Sequence, residues 1–315
     1  MAGIYSQGGS AGHRYAGWLE TVEAKNFQFG GKVFNGSPSA IYVGSKMVWW
    51  YWLKPATRQA IMDAFGQRDG WAVINATNAY LTQLAASDRD KATALAGFIN
   101  EDPMMVCSLG LSVEGVTMPW RYIENDGKAY VDTNIFLSGD GYYFDTKFKA
   151  ANISSKAVLG CQIQDPTLLV LYNGNLYCYG STGATTNRVK SGIYTTGVSD
   201  VTFSGVGDQV TVKHNGTTET YSVSTSFTTM NKPLLLFAYW NNGAIQSDRI
   251  ITAGIAKFIL KQGNTELREM YPMKRTINDV VVCGMIDVIS GTFFTNANSQ
   301  GSFTIPDISY TPSTP

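Results

Sequence analysis

The chain has 315 residues and 34.3 kDa, with 24 Lys and Arg against 24 Asp and Glu, a formal net charge of zero. Charged residues make up only 15%, while Trp, Tyr and Phe number 7, 17 and 15 and Gly 32, a composition that suits a β-rich, turn-rich protein. Zero net charge without a basic cluster excludes sequence-independent nucleic-acid binding, and no apolar run is long enough to predict a membrane span.

The length allows two domains. No apolar segment follows a basic start, so no secretory leader is expected, and the chain reads as made and left in a cytosol. Cys107, Cys161, Cys178 and Cys283 are widely spaced and predict free buried thiols in that reducing compartment.

In chain order, residues 1–31 mix Gly with Tyr5, Tyr15, Trp18, Phe27 and Phe29 and show no period. This predicts an irregular attachment arm whose rings need a partner surface, each gaining about 1.5–3 kcal/mol on burial. Residues 32–116 predict a small mixed module. Short strands are expected at Lys32–Phe34, Ile41–Val43 and Met47–Trp52, with turns at Asn35-Gly36 and Gly44-Ser45. The run Trp49, Trp50, Tyr51, Trp52 carries aromatics on both strand faces and reads as core or subunit interface, joining the arm's rings as an assembly surface.

From Pro55 the pattern becomes helical. Ile61, Ala64 and Phe65 share one face; a second segment, NAYLTQLAAS, aligns Tyr80, Leu81, Leu84 and Ala85. A third helix starts at Ser87 or Asp88 and turns Ala92, Leu95, Ala96 and Ile99 inward. Asp102-Pro103 ends it, and residues 104–117 return to strand character. Residues 117–306 then read as β throughout, with hairpins turning at Asn173-Gly174 and Asn215-Gly216, and 307–315 form a C-terminal tail. The predicted fold class is mainly β: an antiparallel sandwich behind a mixed α/β module and an arm.

Few motifs carry chemistry. Gly8-Gly9-Ser10-Ala11-Gly12, followed by His13, matches a nucleophile elbow but lacks the strand and helix that the elbow needs. A glycosidase needs two facing carboxyls. Glu124 and Asp126 straddle Asn125, but Asn125-Asp126-Gly127 reads as a turn, and Glu266 and Glu269 are three apart. No catalytic residue is expected. No phosphate loop or EF-hand spacing is found, and His13 and His214 cannot make a His-rich metal site, so no cofactor or metal is expected. Tyr239, Trp240, Asn241 and Asn242 are the candidate glycan contacts.

Two segments bracket the β region. Tyr122–Ile135 (YIENDGKAYVDTNI) and Tyr271–Thr304, with Lys274-Arg275, Gly284-Met285-Ile286-Asp287, Phe293-Phe294, Asn296 and Gly301-x-Phe303, resemble the opening and close of one family. It is the concanavalin A-like lectin/glucanase (laminin G-like) jelly roll of the kind carried by tailed-phage virion proteins. Pro233–Gly243 and Arg249–Leu260 stand where that domain has its central and back strands. In structural terms Gly127, Gly284 and Gly301 would serve turns, Asp287 would bond turn amides, and Phe293, Phe294 and Phe303 would fill the core. The glucanase acids and the lectin metal cluster are both missing.

The resemblance implies a non-enzymatic virion protein, a head or tail fibre, spike or decoration subunit assembled in host cytoplasm. Its implied partners are further copies of itself as a homotrimer, other virion proteins, and surface glycans, with neither nucleic acid nor membrane. The alternative is a carbohydrate-binding module or adhesin of a gut bacterium; a glycan hydrolase lacks its acid pair.

Overall fold

A computed structural model describes residues 52–138, 141–162, 168–179, 188–190, 192–206, 209–222, 230–241 and 243–314, with the backbone of four short strands before residue 52. At 161–162, 168–170, 177–179, 188–190 and 241 only the backbone is described. The chain divides into two compact units, Met1–Val106 with Gly110–Pro119 and Ser309–Pro315, and Cys107–Leu109 with Trp120–Ile308.

In the first unit, β1 (Phe27–Phe29) pairs antiparallel with β2 (Lys32–Phe34), and β3 (Ala40–Val43) with β4 (Lys46–Trp49). Of the expected strand Met47–Trp52, residues up to Trp49 are described within β4, and Trp50 and Tyr51 lie outside the described residues. Trp52 lies just before the first helix and is buried: its N–H donates to Asn78 Oδ1 at 2.8 Å and its indole N–H to Thr82 Oγ1 at 3.2 Å. It is a core residue of the helical unit, not a ring held out for docking.

Three helices follow: α1 (Pro55–Phe65), α2 (Gln67–Ser87) and α3 (Arg89–Glu101). Pro55 occupies the first helical turn, where its missing N–H costs nothing. Asp88 caps α3 by accepting from Lys91 N at 2.9 Å, and Ala92, Leu95, Ala96 and Ile99 are buried as their spacing requires. α2 starts well before the expected NAYLTQLAAS segment because Gly70 does not break it. A Cβ at Gly70 would lie 2.6 Å from Met62 Cα, so glycine there permits the close packing of α1 on α2. Residues 103–108 form a 3₁₀ turn where a strand was expected. No described helix is long and apolar enough to cross a membrane.

Ser309–Pro315 belong to this unit as well. The Tyr310 ring packs 4.6 Å from that of Phe65, and Asp69 Oδ2 accepts from Tyr310 OH at 2.9 Å and Ser313 N at 2.7 Å. Ser313 Oγ donates to Gly115 O at 2.7 Å. Buried carboxylates need donors; the tail supplies them to Asp69.

The second unit is an antiparallel β-sandwich. Its strands are β5 (Ile123–Asn125), β6 (Val131–Asp132), β7 (Tyr142–Ala150), β8 (Ala157–Gln162), β9 (Leu168–Tyr172), β10 (Asn175–Tyr179) and β11 (Arg188–Lys190). They continue as β12 (Gly197–Val206), β13 (Gln209–His214), β14 (Thr217–Ser222), β15 (Leu235–Leu236), β16 (Trp240–Asn241), β17 (Ala244–Ile245) and β18 (Ala253–Gln262). The last four are β19 (Thr265–Ile277), β20 (Val280–Asp287), β21 (Phe293–Phe294) and β22 (Phe303–Thr304).

One sheet of six runs β11-β10-β9-β8-β15-β6. The other, of ten, runs β14-β13-β12-β7-β18-β19-β20-β21 and takes in β5 and β22. Alternation decides what faces inward: Tyr142, Phe144, Phe148 and Ala150 of β7 and Val201 and Phe203 of β12 are buried. They share one apolar core with Val158, Leu159, Leu171 and Leu176 from the other sheet. Asn173-Gly174 and Asn215-Gly216 turn the two expected hairpins, with φ of 51° and 76°, and 47° and 89°.

The closing segment behaves in part as its residues predict. Phe303 is buried in the core and Phe294 packs half-buried against it. Phe293, in contrast, is half-buried with the Arg275 guanidinium over its ring and does not fill the core. Asp287 accepts from the amides of Ile289 and Ser290, each at 3.3 Å, and from Ser290 Oγ at 2.6 Å. Gly127 and Gly301 sit at φ +86° and +79°. Gly284 does not serve a turn: it lies inside β20, where an added Cβ would stand 2.4 Å from Phe294 O and 2.7 Å from Phe293 Cζ. It is there so that β21 can cross closely.

Candidate glycan-binding face

The residues Tyr239 and Trp240 come to the outer side of the six-stranded sheet through a backbone irregularity. Leu234, Leu236 and Phe237 all point into the sandwich core, because Phe237 takes φ +69° and interrupts the alternation. This left-handed conformation is costly for a bulky side chain. It is held by Phe237 N donating to Val158 O at 2.6 Å and by Ile251 N donating to Phe237 O at 3.0 Å. The outer side then carries a small apolar floor of Leu235, Ala238 and Ile250, with Tyr130, Trp240 and Ile245 packed half-buried on it.

Above this floor the rings of Tyr172 and Tyr239 lie 5.4 Å apart at 51°. The Arg249 guanidinium stands 5.7 Å from the first ring centroid and 5.8 Å from the second, and donates to Tyr239 OH. Burial pushes the Tyr239 hydroxyl above a tyrosine's ordinary pKa, against the opposing hydrogen bond from Arg249. Lys232 Nζ lies 4.6 Å over the Trp240 ring, and Lys156 Nζ donates to Asp248 O at 2.6 Å beside the Ser247–Arg249 turn. The indole N–H of Trp240 is buried and meets no acceptor among the described residues.

The four candidate contacts therefore have different standings. Tyr239 is only 5% exposed, so its ring cannot stack on a ligand; it holds Arg249 in place. Trp240 is half-buried and on the outer side. The Asn241 side chain and the whole of Asn242 lie outside the described residues. Tyr172, Arg249 and Lys232 complete the patch and were not singled out from sequence. Tyr172 comes from a distant strand, while Lys232 and Arg249 are near in the chain but carry no local sign that they lie against these rings. Half-buried rings beside a fixed guanidinium suit a sugar, whose C–H faces stack on aromatics while its hydroxyls accept from Arg.

Of the assembly residues, Tyr5, Tyr15, Trp18 and Trp50 lie outside the described residues. Phe27, Phe29 and Trp49 are described only as members of β1 and β4. The Gly8–Gly12 motif and His13 also lie outside.

The acidic candidates are each engaged separately. Glu124 pairs with Lys149, Glu266 Oε1 with Lys261 Nζ at 2.8 Å, and Glu269 Oε1 accepts from Tyr271 OH at 2.6 Å. Asp126 accepts from Lys128 N at 3.0 Å and Ser302 N at 3.2 Å, in the turn its neighbours predict. His214 Nε2 meets Glu219 Oε2 at 3.1 Å. No group of three or more His, Cys, Asp or Glu side chains suited to a metal ion occurs among the described residues. Cys107 and Cys283 are free thiols.

No family model matches the chain, and no curated protein matches it. Among solved structures it is similar to a putative carbohydrate-binding protein from Bacteroides ovatus ATCC 8483, at 10% identity over 60% of this chain and 61% of that one, TM-score 0.41. Mouse laminin α1 domains LG4-5 align at 14% identity over 47% and 43%, TM-score 0.36. The heptameric SAP-like pentraxin of Limulus polyphemus aligns at 10% over 56% and 96%, TM-score 0.35. The chain thus spans less than two thirds of the laminin and Bacteroides proteins.

Proposed function

We propose that the sandwich is a non-enzymatic glycan-binding module, carried by a virion protein of a tailed phage as part of a head or tail fibre, spike or decoration subunit. The observation that carries the binding reading is the patch of Tyr172, Trp240 and Arg249 on the outer side of the six-stranded sheet, positioned by Phe237 and buried Tyr239. The non-enzymatic reading is supported by Glu124, Glu266 and Glu269, each held by a different partner.

The phage reading is supported by the resemblance of Tyr122–Ile135 and Tyr271–Thr304 to the ends of the jelly roll in phage virion proteins. In this reading the arm of residues 1–31 anchors the subunit to the particle in the host cytoplasm, and the sandwich meets glycans outside.

A glycan array tests the binding. The wild-type chain should retain a set of glycans, and Trp240→Ala and Arg249→Ala should each weaken that binding by roughly 1–3 kcal/mol, the range of a buried ring or a charged hydrogen bond. Binding unaffected by both variants would move the site elsewhere. The same glycans should release no reducing sugar on incubation. Phage particles labelled against the chain in electron micrographs test the virion assignment.

A further inference from the structure

A guanidinium offers its N–H donors in one plane, as a fork that matches the two oxygens of a carboxylate. Arg249 has one arm of that fork committed and the other open. Its Nη1 donates to Tyr239 OH, and no described residue accepts from Nε or Nη2. Neither of those two atoms is among the buried polar atoms that lack a partner. Tyr239, only 5% exposed, fixes the group from beneath, and the guanidinium carbon lies over two rings at once. An arginine held in this way loses little further freedom when it binds.

The charges around it leave that edge available. Asp132 and Asp248 are the acids beside the patch. Asp132 Oδ1 accepts from Asn134 N at 2.8 Å, within its own turn. Asp248 precedes Arg249 in a 3₁₀ turn, where successive side chains point about 120° apart. Neither forms an ion pair with Arg249. Lys232 stands 4.6 Å over the Trp240 ring, and Lys156 Nζ reaches the carbonyl of Asp248, so two further cations join the arginine.

We propose that the glycan bound at this patch is acidic: a sugar acid whose carboxylate takes the Nε and Nη2 donors of Arg249 while its ring lies against Tyr172. This rests on the glycan-binding reading of the same site. A sugar acid carries its carboxylate on a ring carbon, so a carboxylate on the fork sets the pyranose close beside it. The Tyr172 ring centroid, 5.7 Å from the guanidinium carbon, stands at that range. A free inorganic anion would fill the fork and leave the ring unused. A neutral sugar would use the ring and leave the fork without its matching charge. Tyr239 is the positioning residue, acting on the ligand only through Arg249.

A glycan array printed twice, once native and once with its carboxyl groups reduced to alcohols, tests this with the full chain. Reduction should weaken binding of the retained glycans on the order of ten-fold, as expected for charge-assisted hydrogen bonds. Sulfate esters survive the reduction, so unchanged binding would overturn the carboxylate and point to a neutral or sulfated ligand. The glycan-binding reading would then still stand. Retention of nothing on either array would overturn both. Arg249→Lys keeps the charge without the fork and should lower the ratio of native to reduced binding several-fold. Tyr239→Phe should lower the same ratio, because the guanidinium loses its anchor. A merely structural loss would weaken native and reduced glycans alike, so a ratio unchanged in both variants would overturn the role of the fork.

Discussion

Lys147 and Lys257 stand directly opposite each other on the neighbouring strands β7 and β18. Like charges in that position repel. Each is satisfied by a different carboxylate, Lys147 by Asp200 at 3.1 Å and Lys257 by Asp145 at 2.6 Å, while Lys147 also lies 4.4 Å from the Trp120 ring centroid. At this point the outer side of the ten-stranded sheet carries alternating charge, with an aromatic ring laid against it.

Asp145→Asn should expose this arrangement. It leaves Lys257, whose side chain is only 19% exposed, facing Lys147 without its counter-charge. The expected loss is about 1–3 kcal/mol in urea unfolding. Adding Lys257→Met should recover most of it, because the repulsion and the orphaned charge go together. No loss in the single variant would mean that solvent already screens the pair.

Two glycines should respond in opposite directions. Gly284→Ala drives a Cβ into the Phe294 carbonyl and should cost about 1–3 kcal/mol, lowering the sandwich's melting temperature. Gly97, within α3, has nothing within 4 Å of an added Cβ, so Gly97→Ala should stabilise the helical unit by roughly 0.5–1 kcal/mol. Calorimetry on both variants checks the pair of signs.

The tail contact should weaken in acid. The Ser313 amide, followed by Tyr310 and Arg68, holds the Asp69 carboxyl below its ordinary pKa of 3.8. A depressed carboxylate contributes its full stabilisation above 3.8 and loses it as pH falls through the lower, folded value. In a pH series of amide NMR spectra, the Ser313 signal should stay constant from neutrality to about pH 5 and shift only below 3.8. Asp69→Asn should abolish that shift.

Tyr122 should give an alkaline limb. Burial, then the nearby charge of Asp200, pushes its hydroxyl up to about 12 from 10.0. The raised value means that its contribution is complete below pH 10.0 and declines as pH approaches 12. Absorbance titration of tyrosinate should show a late step near pH 12 that Tyr122→Phe removes.

Much of the sandwich was legible along the chain. Asn173-Gly174 and Asn215-Gly216 announce hairpins because both turn positions need positive φ, and alternation along β7 and β12 shows which residues face the core. Asp88 and the spacing of Ala92, Leu95 and Ile99 announce α3 in the same way. These signals act within a few residues of backbone, so they can be read without knowing what packs against them.

Other features depended on distant neighbours. Nothing local marks where α2 begins until Gly70 is seen packed against Met62, and Gly284 reads as a turn until Phe294 is seen beside it. Trp52 reads as a continuing strand, yet Asn78 and Thr82 bury it in the helical unit. Tyr239 and Trp240 look alike in the chain; the left-handed Phe237 brings both to the outer side, where Tyr172 from another strand and Arg249 cover Tyr239 and Trp240 stays half-buried. Local rules specify conformation, whereas exposure and partnership are set by contacts between residues far apart in sequence, and so belong to the tertiary structure alone.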